Sequence, residues 1–145
     1  MVVKVVILNT QNNQHKQVPV KVTAYVDEDI KELVELLNQI PKACTIESCQ
    51  GSDAHWATVE LDYAVNYAND EQVDLIEVVN FADRLWAFIS QNIRNDIECD
   101  AVSIGIEWHS RHTPTIVLRI EPHYIDKLVN ILRPLCNERT HCKPQ

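Results

Sequence analysis

Apolar residues along the chain switch between a period of two and a period near 3.6, and the switches mark out the elements. Val2 to Leu8 is a β-branched run ending in the polar stretch Asn9 to Gln14, which predicts a strand and then a loop. From Val20 to Val26 the residues alternate, with Val20, Val22, Ala24 and Val26 on one side of a half-buried strand. Asp27 is placed to cap a helix in which Ile30, Leu33, Val34, Leu37 and Ile40 share a face, and Pro41 stops it. Cys44 to Cys49 and Trp56 to Tyr63 predict a hairpin with Gly51 in its turn and Ala57, Val59, Leu61 and Tyr63 inward. Asp70 opens a long helix to about Ile93, with a face read as Leu75, Val79, Ala82, Trp86, Ile89 and Ile93. Ala101 to Trp108 and Thr115 to Ile120 predict two strands. Pro122 then leads a helix with Ile125, Leu128, Val129 and Leu132 inward until Pro134.

The order from Val20 is strand, helix, strand, strand, helix, strand, followed by a further strand and helix. It predicts an α+β fold, a ferredoxin-like antiparallel sheet with helices on one face plus a C-terminal strand and helix. A single domain over residues 1–136 and a loose tail over 137–145 complete the expectation.

Composition narrows the function classes. Twenty-one acids against thirteen Lys and Arg give a net charge of −8, a field that repels phosphate backbones and anionic lipid and argues against nucleic acid. No run approaches the roughly 18 apolar residues of a membrane span, and no signal-peptide pattern opens the chain. Five cysteines, without framework spacing, suit a reducing cytoplasmic compartment.

If the inward residues pack under the helices, the strand period sends Glu47, Cys49, Thr58, Glu60, Asp62, Ser103, Gly105, Glu107, His109 and Arg119 to the opposite face. That face is rich in acids. It reads as a solvated surface, a cation site of Glu47, Glu60 and Glu107 if their strands are neighbours, or a docking face for another chain. The chain has two glycines. Gly51 closes the hairpin, and Gly105 sits mid-strand, where a glycine either makes room for an aromatic such as Tyr25 or admits a ligand or a backbone.

Around Gly51, a thiol site would use Cys49 as nucleophile, His55 as base and the amides of Gln50 and Gly51 as oxyanion donors. The competing reading makes Cys49 a small side chain ending a strand. No metal site is assigned. Cys44 should point away from Cys49 on a regular strand, Cys136, His141 and Cys142 match no zinc spacing, and His109 and His112 flank a turn. No phosphate loop or nucleophile elbow occurs.

The segment Cys44 to Tyr63, with its Thr45-Ile46-Glu47-Ser48-Cys49-Gln50-Gly51 core, resembles a Ser-Cys-x-Gly turn after a strand in the wybutosine-synthesising tRNA methyltransferase family, and that of small uncharacterised bacterial or phage proteins. The first resemblance, about twenty residues long, implies S-adenosylmethionine near Ser48, Cys49 and Gly51. Ser52 and Asp53 stand where that family tends to carry a basic residue. The expectation is a binding or interaction module using the acidic face of its sheet, with a protein partner or self-association. The alternative is a small enzyme around Cys49, His55 and Gly51, assisted by Glu47, Glu107 or His109.

Overall fold

The computed structural model describes residues 2–7, 20–65, 73–93, 97–98, 100–108 and 114–137. Strands β1 (Val2–Ile7) and β2 (Val20–Tyr25) pair antiparallel as a two-stranded sheet. A 3₁₀ turn, Glu28–Ile30, leads into α1 (Lys31–Asn38). The hairpin β3 (Ala43–Cys49) and β4 (Ala57–Tyr63) follows, then α2 (Leu75–Asn92), β5 (Val102–Trp108), β6 (Pro114–Ile120) and α3 (Ile125–Asn137).

The α+β class holds, with a four-stranded antiparallel sheet in the order β3-β4-β6-β5. β6 runs antiparallel to both β4 and β5, so those two are parallel to each other and α2 crosses between them. The C-terminal strand therefore fills the middle of the sheet rather than extending it. The place beside β4 that a ferredoxin-like order gives to the strand before α1 is occupied by β6, and β2 pairs with β1 instead.

The three helices share one core with one sheet face: Ala57, Val59 and Leu61 of β4 and Ile116, Leu118 and Ile120 of β6 pack against Leu33 and Leu37, Phe81 and Leu85, and Leu128 and Leu132. The α1 and α3 stripes are buried as their spacing demands. Tyr63 stacks on Phe81 with centroids 3.9 Å apart, and Arg133 of α3 pairs with Glu32 of α1.

Helix α2 departs from its expected face. Its cap is Asp74, whose carboxylate accepts from the N–H groups of Ile76 (2.9 Å) and Glu77 (3.4 Å), and Asp70 lies outside the described residues. The buried stripe is Val78, Phe81, Ala82, Leu85 and Ile89, whereas Leu75, Val79 and Trp86 are exposed. Apolar residues occupy two sides of this helix, and the sheet takes the side that lets Phe81 reach Tyr63. Asp27 makes no side-chain cap to the turn after it; its carboxylate instead accepts from the Gln50 N–H at 3.1 Å. Helix α3 continues through Pro134 to Asn137, so the proline does not end it where the sequence predicts, although it has no N–H to offer the Asn130 carbonyl. Asn137, expected to open a loose tail over 137–145, instead closes α3; residues 138–145 and the turn carrying His109 and His112 lie outside the described residues, as do the side chains, though not the backbone, of Val20, Val22 and Ala24.

Candidate functional site

The acidic face is assembled by register. Residues directly opposite share a face, and the pairs Glu47 with Glu60, Cys49 with Thr58, Thr58 and Ser103 with Arg119, Gly105 with Val117 and Glu107 with Thr115 put the described members of the predicted set together on the side away from the helices. A bulge between Thr45 and Glu47 shifts the β3 register past Ile46. Cys44, opposite Asp62, therefore joins Cys49 on this face instead of pointing away, a reversal that regular alternation cannot produce. Ser48, opposite Val59, faces the helices.

This face is sheltered at its centre. Asp62 is 2%, Val117 1% and Thr115 0% exposed, although Val117 lies outside the helix-side core. Arg119 pairs with Glu107, a contact that runs diagonally past the Gly105–Val117 pair. Glu107 is thus already engaged and lies two strands from Glu60, and the trio Glu47, Glu60 and Glu107 does not converge on one point. Among the described residues no three His, Cys, Asp or Glu side chains are grouped to hold a metal. Burial, with the Asp62 carboxylate beside it, raises the Cys44 pKa above the ordinary thiol value.

The hairpin turn has a structural reason for its glycine. Gly51 has φ +74°, and a Cβ there would lie 2.5 Å from the His55 carbonyl oxygen, 2.6 Å from the Ala57 nitrogen and 2.7 Å from the Trp56 carbonyl carbon. The Ser52 N–H donates to the His55 carbonyl at 2.8 Å and the His55 N–H to the Ser52 carbonyl at 3.2 Å, so the chain folds back tightly on Gly51. The Gln50 N–H, a candidate oxyanion donor, is taken by Asp27, while the Gln50 side-chain oxygen accepts from the Asp29 N–H at 3.4 Å. Beside this turn is a cleft of about 680 Å³ carrying Glu28, Asp29, Glu32, Asp53 and Asp126. A neighbouring recess of about 330 Å³ holds His55, Trp56, Glu121 and His123, and the two share Ser52, Asp53, Pro122 and His123. Cys49 lines neither, so the thiol and its proposed base do not meet in one cavity.

Gly105 belongs to a different place. Strand β5 is one of the sheet's two edges, β3 being the other, and a groove of about 390 Å³ runs between it and α2, lined by Val79, Ala82, Asp83 and Trp86 on the helix and Ser103 to Ile106 on the strand. Among the described residues nothing lies within 4 Å of a Cβ added at Gly105. Tyr25, the aromatic for which Gly105 was expected to make room, is 87% exposed, so packing against it does not explain the glycine. The two glycines line separate cavities. Sequence periodicity alone hides this groove, because it places Val79 and Trp86 in the core; the signal that points to it is the surplus of apolar residues around α2.

Among the described residues no helix is long and apolar enough to cross a membrane. No protein-family model matches the chain, and no curated protein or solved structure is significantly similar to it.

Proposed function

We propose that this protein is an interaction module that binds an extended partner segment along the β5 edge, in the groove beneath α2. One observation carries the reading: β5 is an edge strand of the sheet, and among the described residues no further strand pairs with its outer side, where exposed Val79 and Trp86 lie beside it, with Asp83 the one charged side chain lining the groove. Strand addition draws affinity from main-chain hydrogen bonds and specificity from pockets for alternate side chains. Here Ile104 and Ile106 present the apolar side and Ser103, Gly105 and Glu107 the polar side, so the edge borders the acidic face. An occupant with alternating apolar residues is favoured.

Peptides displayed on phage, selected against the wild-type chain, test this. Enrichment of alternating sequences whose binding is lost in Trp86→Glu supports the reading; no enrichment, or equal binding by the variant, refutes it.

A further inference from the structure

We infer that the occupant of this edge is a second copy of the same chain, joined by antiparallel β5–β5 pairing about a two-fold axis through Gly105. The inference rests on the edge-binding reading above and adds the partner and the register. Strand β5 is seven residues long, Val102–Trp108, and Gly105 is its midpoint, so only a centre at Gly105 pairs every residue. That register sets Ile104 against Ile106 of the second copy and Val102 against its Trp108 on the helix side. On the other side it sets Ser103 against Glu107 and Gly105 against itself. No carboxylate on the strand faces another, and apolar residues meet apolar residues throughout, as a self-complementary isologous contact requires. Two four-stranded sheets become one of eight strands, and both copies keep their helices on the same face.

The helix layer continues the match. The operator that pairs Ile104 with Ile106 turns the two α2 helices antiparallel across the axis, bringing Trp86 of each toward Val79 of the other. Ile76 is 71%, Val79 38%, Trp86 39% and Trp108 61% exposed; with side-chain areas of about 150–250 Å² for the large residues, they present roughly 400 Å² of apolar surface. Adding the strand edge and the exposed parts of Ile104 and Ile106 gives about 600–700 Å² per protomer, close to the ~800 Å² per partner of a standard interface. Asp83, between Val79 and Trp86 in the groove, approaches its own copy near the axis and opposes association. The two-fold arrangement also supplies a use for the glycine that packing within one chain does not, since it leaves the centre of the seam free of side chains.

The test combines association with register. Sedimentation velocity from about 1 to 200 μM should show a monomer–dimer equilibrium that Trp86→Glu weakens by about 100-fold or more, the size of a central interface residue, without changing the circular dichroism spectrum. Asp83→Asn should tighten it several-fold. For register, Gly105→Cys in a Cys49→Ser background places two thiols directly opposite, about 4.5–5.5 Å apart between Cα atoms, inside the disulfide range. Oxidation should give a covalent dimer whose cross-linked peptide maps to residue 105 on both sides, and Ser103→Cys should not. A monomer at 200 μM, or a dimer indifferent to Trp86→Glu and uncross-linked through Gly105→Cys, overturns the inference. A monomer that still binds selected peptides through Trp86 overturns the dimer alone, whereas absence of both sinks the edge-binding reading as well.

Discussion

The two glycines make opposite demands, and replacing each by alanine measures the difference. At Gly51 the backbone has φ +74° and the new methyl would stand 2.5–2.7 Å from three main-chain atoms of residues 55 to 57. A left-handed conformation costs a non-glycine residue about 1–2 kcal/mol. The clash involves backbone instead of a flexible side chain, so the turn must open and release the two Ser52–His55 hydrogen bonds, worth about 1 kcal/mol each. The sum is about 3–4 kcal/mol. For a chain of this size, at roughly 3–4 °C per kcal/mol, Tm should fall by about 10–15 °C. Gly105→Ala has free space and no positive φ, and relieves the entropic cost of a mid-strand glycine, so it should stabilise by about 0.5–1 kcal/mol. Urea and thermal unfolding followed by far-ultraviolet circular dichroism, at low micromolar protein to keep association out of the comparison, give both values. A loss below about 1 kcal/mol for Gly51→Ala, or an equal loss for Gly105→Ala, would refute the assignment of their roles.

Three further outcomes follow from the same geometry. Iodoacetamide at neutral pH should modify exposed Cys49 before the half-buried Cys44 and Cys136, read by peptide mass spectrometry; a Cys49 rate more than about tenfold above that of a free peptide thiol would instead restore the nucleophile reading. Because burial raises the Cys44 pKa in the folded chain, its contribution to stability is full below the ordinary thiol pKa and is lost as pH rises from there through the raised folded-state pKa, so Cys44→Ala should flatten the alkaline limb of the stability profile. Asn38→Ala removes the bonds that its side chain makes to Thr45, at 2.8 and 2.9 Å, and should cost about 1–2 kcal/mol in urea unfolding.

Periodicity was enough where one face of an element decides its burial. The stripes of α1 and α3 and the inward set of β4 follow from spacing alone, because a helix with one apolar side, or a strand with one, has a single way to meet a core. Strand order is a different kind of fact. Nothing local to Thr115–Ile120 says that it enters between β4 and β5, since that depends on which strands end up beside one another. What the sequence does offer is the near-continuous apolar run of β6, buried from Pro114 to Leu118, which suits a central strand better than an appended one. The bulge at Ile46 was equally hidden: one extra residue reverses the parity of everything before it, so Cys44 changed sides while Glu47 and Cys49 kept theirs.

Helix α2 carries more apolar residues than one buried face holds. Its apolar residues fit two faces, Val78, Phe81, Leu85 and Ile89 on one and Ile76, Val79 and Trp86 on the other, and a pattern search must choose between them. A helix that only covered its own sheet would need one stripe, with polar residues elsewhere. The second stripe lies over the β5 edge of the sheet, with Gly105 at that strand's midpoint. Exposure of Trp86 and Val79 carries a hydration cost in the isolated chain that burial against another surface removes. On the proposed reading the ambiguity in the pattern is physical: one stripe serves the chain's own core and the second serves a neighbour. Substituting the second face with Glu, as in the Val79→Glu, Trp86→Glu pair, should leave the fold standing and abolish association; if it unfolds the chain instead, the stripe belongs to the core after all.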